Sequence, residues 1–128
     1  MKQTFLHKPI PRLLAYVLTA GISSAGLLVS AAPAAETVQT TKVVAKKYAF
    51  VPNEITVKKG QPTILQFTTE DRSHGFFAPD LNLHANIEPG KPVQVQFTPS
   101  KTGEFAFFCD VFCGSGHEDM NGKIKVVN

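Results

Sequence analysis

Apolar and polar residues alternate with a period of two over most of the chain beyond residue 42. Val43-Val44 and Tyr48-Ala49-Phe50 open this region. Ile55 and Val57 then alternate with Thr56 and Lys58, Leu65 and Phe67 with Gln66 and Thr68, and Val93, Val95 and Phe97 with Gln94 and Gln96. Phe105 and Phe107 share a face with Cys109, and Ile124 and Val126 alternate with Lys123 and Lys125. Such alternation sends one side of a segment into a core and the other into water, as in a half-buried strand. Turn-forming sequences separate the segments: Lys59-Gly60-Gln61-Pro62, Pro89-Gly90-Lys91-Pro92, residues 99–103 and Asn121-Gly122. No stretch beyond residue 35 carries an amphipathic helical period. The pattern predicts an all-β domain of six or seven short strands, packed as an antiparallel β-sandwich.

The first 34 residues break this pattern and read as an export signal. Lys2, Lys8 and Arg12 lie in residues 1–12 with no acid among them, residues 13–31 are uncharged and mainly apolar, and Ala32-Pro33-Ala34 offers the small residues of a cleavage site. The expected organisation is a signal peptide over 1–34, a polar linker over 35–41 and one domain over 42–128. The rival reading is an uncleaved anchor, since the uncharged stretch approaches the ~20 residues that span a bilayer. Gly21, Ser23, Ser24 and Gly26 speak against it. Either way the domain lies outside the cytoplasm, with the periplasm as its expected location and no membrane insertion once the signal is removed.

Composition narrows the picture further. With 128 residues and 43% hydrophobic content, the chain can build one real core. Phe supplies ten of the aromatic residues, Tyr two and Trp none, which fits a compact β core filled with Phe. The net charge of +3 comes from the three cations of the signal, so the remainder is balanced. No run of Lys or Arg in the body exceeds two residues, and a nucleic-acid partner is not expected.

The chemistry concentrates in residues 109–120, Cys-Asp-Val-Phe-Cys-Gly-Ser-Gly-His-Glu-Asp-Met. Cys109, Cys113, His117 and Met120 place four soft or borderline donors in one loop between two strands. Thiolate, thioether and imidazole together suit copper and do not suit magnesium or calcium. A loop pinned at both ends by a sheet can hold ligand geometry fixed while a metal changes oxidation state. A fifth donor, His74, lies in Asp71-Arg72-Ser73-His74-Gly75-Phe76, where a loop is expected after the Leu65–Phe67 segment. Loops at one end of a sandwich cluster, so His74 can meet the later loop there.

Other readings compete for these residues. Cys109 and Cys113 could form a disulfide in an oxidising compartment, although that leaves His117 and Met120 unexplained. A mononuclear site could use His74, Cys113, His117 and Met120, with Cys109 left as an oxidation liability. Zinc suits Cys and His but not Met120. His84 reads as a surface or outer-shell residue. Asp110, Glu118 and Asp119 read equally as solvated charges or as a docking patch for a basic partner. Phe76-Phe77 reads as packing around the centre.

The loop, with Ser73-His74-Gly75-Phe76 upstream, resembles the CuA copper domains of cytochrome c oxidase subunit II and nitrous oxide reductase, the upstream segment being closer to the reductase. The opening Phe50-x-Pro52-x-x-Ile55-x-Val57-x-x-Gly60 resembles cupredoxins generally. The likeness spans residues 43–127 and implies a Greek-key cupredoxin sandwich carrying a dinuclear copper centre. It implies that Cys109 and Cys113 bridge two coppers and that His74 and His117 bind one each. It further implies that Met120 and the carbonyl oxygen of Val111 are weak ligands. Position 111 carries Glu or Trp in those relatives; a carbonyl ligand survives the change to Val, whereas an electron-uptake role for that Trp does not carry over.

The expected function is a one-electron carrier rather than an enzyme, relaying electrons between a c-type cytochrome and a terminal reductase or oxidase. A periplasmic copper carrier or metallochaperone is the alternative. No Ser/His/Asp, paired-carboxylate or phosphate-loop pattern points to catalysis.

Overall fold

The computed structural model describes residues 31–128, so most of the stretch read as an export signal lies outside the described residues. Nine strands follow: β1 Gln39–Lys46, β2 Ala49–Val51, β3 Glu54–Lys58, β4 Thr63–Thr68, β5 His74–Ala78, β6 Leu83–Ile87, β7 Val93–Phe97, β8 Gly103–Phe108 and β9 Asn121–Val127. They build a four-stranded sheet in the order β2-β1-β4-β7 and a five-stranded sheet in the order β3-β9-β8-β5-β6. The two sheets form the expected all-β sandwich. No helix among the described residues is long and apolar enough to cross a membrane.

The alternating segments behave as their pattern requires. In β3, Ile55 and Val57 are buried while Glu54, Thr56 and Lys58 are exposed, and β4 and β6 alternate in the same way. The core between the sheets is a phenylalanine cluster. Phe50 and Phe67 come from one sheet, Phe76 and Phe107 from the other, and all four are essentially inaccessible to water. Ring centroids lie 5.1 Å apart for Phe50–Phe107, 4.4 Å for Phe67–Phe76 and 5.2 Å for Phe76–Phe107. Each such pair adds ~0.5–1.5 kcal/mol beyond area burial.

The structure corrects the expected fold in four places. The sandwich is not wholly antiparallel: β1 pairs with β4, and β3 with β9, in parallel. Parallel neighbours cannot be joined by a hairpin, and here the chain leaves β1 through β2 and crosses to the opposite sheet as β3 before returning as β4. Strand β1 starts at Gln39, inside the stretch expected to be a linker. Its inward positions there are the half-buried Gln39 and Thr41, which give no apolar signal; the Gln39 side chain donates to the Thr56 carbonyl at 2.8 Å. Asn121-Gly122 is no turn. It begins β9 opposite Phe108 and Phe107, and at Gly122 a side chain would collide with the Phe107 ring. Finally, His74 opens a strand rather than a loop. Both β5 and β6 escaped the period-two reading, β5 because it is buried at four of five positions and so does not alternate.

The Phe76 ring touches Phe50, Phe67 and Phe107. Phe76→Ala is expected to lower unfolding free energy by ~3–5 kcal/mol, measured by urea titration of the metal-free domain. A loss below about 1 kcal/mol would show that the cluster is not the core.

Candidate metal centre

Strand β8 delivers Cys109 to one end of the sandwich, and β9 picks the chain up after Met120. The base of the intervening loop is closed by the Cys109 N–H, which donates to the Met120 carbonyl at 3.0 Å. Inside the loop, the N–H groups of His117 and Met120 donate to the carbonyls of Gly114 and His117. His74, Cys109, Cys113 and Met120 are buried, and His117 and Val111 are half-buried.

The loop and the start of β5 bring all six expected ligand positions together. The Cys109 and Cys113 sulfurs are 3.8 Å apart. That separation is far beyond a disulfide bond of ~2.05 Å, and both thiols are free. A ring nitrogen of His74 lies within 4.8 Å of both sulfurs. Cys113 Sγ is 3.7 Å from His117 Nδ1 and 3.8 Å from Met120 Sδ. The Val111 carbonyl oxygen lies 3.1 Å from Cys109 Sγ. The Gly75 N–H also points at that sulfur, at 3.3 Å.

His74 is the most informative donor. Its Nε2 is 2.8 Å from Asp71 Oδ1. Its Nδ1 is buried and has no hydrogen-bond partner. Buried polar atoms are rarely left so. A carboxylate on one ring nitrogen holds the proton there and leaves the other nitrogen's lone pair free, the arrangement of metal-bound histidines. The donor set therefore fits a soft metal ion.

Asp71 is the node of this support. Besides His74, its carboxylate accepts the Lys47 N–H at 2.7 Å, the Thr69 hydroxyl at 2.9 Å and the Arg72 N–H at 2.7 Å. Partial burial alone would raise its pKa. The hydrogen bonds from His74, Lys47, Thr69 and Arg72 outweigh that and hold the carboxyl well below the usual range. The Cys113 thiol moves the opposite way, pushed up to about 11 by burial and then by the neighbouring Cys109, with the Arg72 charge pulling against both. A metal would therefore have to displace the proton from Cys113.

Sequence reading did not single out Asp71, Arg72 or Tyr48. A carboxylate three residues ahead of a candidate histidine was an available signal for Asp71; Arg72 and Tyr48 had none. His84 lies in the outer shell: its Nε2 is 2.7 Å from Asp110 Oδ2, which fixes the residue next to Cys109. Glu118 and Asp119 stay exposed in a 3-10 turn, His117–Asp119. Phe76 packs in the core, while Phe77 stacks edge-on against Phe108 on the outer face. Phe112 is 81% exposed, beside the His117 ring at 5.7 Å.

The cupredoxin-like domain family matches residues 15–126. The chain belongs to that family. The match begins within the stretch read as an export signal. This cupredoxin is 33% identical over 87 residues to cytochrome c oxidase subunit 2 of Thermus thermophilus, across 68% of this chain and 64% of that protein. It is 32% identical over 91 residues to nitrous-oxide reductase of Cupriavidus necator, across 68% of this chain and 14% of the reductase. The cupredoxin thus spans less than two thirds of either relative. In fold it is similar to the periplasmic domain of subunit II of cytochrome oxidase (CoxB) of Bradyrhizobium japonicum. The TM-score is 0.65 at 24% identity, over 70% of this chain and 84% of that one. The resemblance expected from the loop and from Ser73-His74-Gly75-Phe76 is thereby borne out.

Because the Asp71 carboxyl is depressed when folded, it stabilises the fold fully above its unfolded pKa of ~3.9 and loses that effect as pH falls below it. Across pH 5 to 2, the metal-free wild type should lose more urea resistance than Asp71→Asn. Parallel curves for the two proteins would show that the carboxylate contributes nothing.

Proposed function

We propose that this cupredoxin is an exported electron carrier whose loop and β5 hold two copper ions between Cys109 and Cys113. The observation that carries the reading is the pair of buried sulfurs 3.8 Å apart, with a ring nitrogen of His74 within 4.8 Å of both and the Nδ1 of that ring buried without a partner. Cys109 and Cys113 would be the thiolates that hold the copper ions, being close enough to share them. His74 and His117 would serve as one further donor each, with Met120 Sδ and the Val111 carbonyl as weaker donors. A bound copper pair supplies one-electron redox chemistry, with the change shared over two metals and two sulfurs.

The chain's own part is to hold donors still. The Cys109–Met120 backbone bond closes the loop, Asp71 orients His74, and the phenylalanine core sets the two strand ends. Cys109 sits too close to Cys113 to be a bystander, which favours the dinuclear arrangement over a mononuclear one. Burial of His74, Cys109, Cys113 and Met120 favours retention of copper and hence relay over delivery to another protein. Relay needs only an exposed edge, and the half-buried His117 offers one. The redox partners would be a c-type cytochrome on one side and a terminal oxidase or reductase on the other, with the periplasm as the place of work.

Reconstitution of the reduced domain should give two coppers per chain and a seven-line paramagnetic resonance signal. Cys109→Ser should convert the signal to a mononuclear type or abolish it. One copper per chain with a four-line signal in the wild type would defeat the dinuclear reading. Retention against a chelator for hours supports relay, and loss within minutes supports delivery.

A further inference from the structure

The ligand loop rests on a side chain from the turn that orients His74. Arg72 precedes His74 by two residues, and its backbone is held locally: its N–H donates to Asp71, and its carbonyl lies 3.1 Å from the Thr69 hydroxyl, which also reaches Asp71. Its guanidinium Nη1 reaches across forty-one residues of sequence to donate to the Cys113 carbonyl. The next residue, Gly114, has φ +128, and a Cβ there would press on Arg72 Nη1 and the Tyr48 hydroxyl. The loop therefore lies directly on this arginine. Among the described residues Arg72 makes no salt bridge, although Asp71 adjoins it. Its charge is spent beside Cys113.

Building on the copper-binding reading above, we propose that Arg72 is a positioning residue for the centre, pinning the Cys113 turn and supplying a fixed positive charge beside the thiolate. One consequence follows. Reduction adds an electron to the centre, and a nearby cation stabilises the more negative state, so Arg72 raises the reduction potential. Because Arg72 is largely solvent-exposed, its charge is partly screened and its influence must weaken with salt.

Charge and geometry are separable, because Lys keeps the charge without the planar fork and Gln keeps an amide donor without the charge. Copper content, redox titration at low and high salt, paramagnetic resonance and chelator release are measured on the wild type, Arg72→Gln and Arg72→Lys. At low salt Arg72→Gln is expected to shift the redox equilibrium toward the oxidised form by about three- to tenfold, a potential lowered by roughly 28–59 mV for one electron. The gap should narrow in 1 M salt. Arg72→Lys should keep the potential but alter the hyperfine pattern and release copper faster. Equal potentials for wild type and Arg72→Gln at both salt levels would overturn the charge role. If Arg72→Gln does not fold by circular dichroism, Arg72→Lys decides, and a release rate and spectrum equal to wild type overturn the proposal. One copper per chain in the wild type sinks the dinuclear reading alone, since the shift between variants is still read on that centre.

Discussion

Two sulfur atoms sit 3.8 Å apart at the buried end of the sandwich, too far for a disulfide and too close to ignore each other. Both belong to buried cysteines, with the buried Met120 sulfur 3.8 Å from that of Cys113. Left as a thiol, Cys113 is held toward the protonated form by burial and by the neighbouring Cys109. As thiolates they repel, and in a dry site that repulsion is not damped by solvent. On the proposed reading, copper held between them relieves the arrangement. The rest of the domain serves to stop the sulfurs from moving apart or joining.

That demand explains why the site rides on a β-sandwich. Cys109 continues directly from β8, and Met120 leads directly into β9, adjacent antiparallel strands paired over six residue positions. The loop ends are as immobile as the sheet. The sheet in turn is held by Phe76 and Phe107, whose rings meet Phe50 and Phe67 from the opposing layer. Close-packed interiors transmit strain instead of absorbing it, so displacement of a sulfur would have to be accommodated by the core.

The alternating strands, the loop and His74 were legible in the sequence because each rests on a local pattern: period two for the strands, donor spacing for the loop. What stayed hidden depends on contacts between distant segments. Strand β5 does not alternate because the loop at Asp110 and Val111 lies over Gly75 on its outer face, a fact of tertiary packing and not of local composition. Gln39 and Thr41 extend β1 with polar inward residues, so the strand start looked like linker. Asn121-Gly122 carries turn chemistry, yet here the glycine makes room for the Phe107 ring. The reach of Arg72 to Cys113 has no sequence signal at all, since nothing local distinguishes an arginine aimed at a carbonyl from one aimed at water.

Charge accounting shows why the short turn over residues 69–75 matters as much as the loop that holds most of the donors. Two thiolates concentrate negative charge, and the chain answers from this turn with a backbone N–H from Gly75 on Cys109 and a guanidinium from Arg72 at the Cys113 turn. Of the two carboxylates in the same seven residues, Glu70 and Asp71, it is Asp71 that reaches the ligand side chain His74. It is aimed away from the sulfurs, onto the far nitrogen of His74, and neutralised there by N–H and hydroxyl donors. A turn that contributes only one of the six proposed ligand groups thus sets the tautomer of that ligand, the electrostatic setting of both sulfurs and the seat of the opposite loop. Changes in this turn can tune the centre without touching an atom bonded to it.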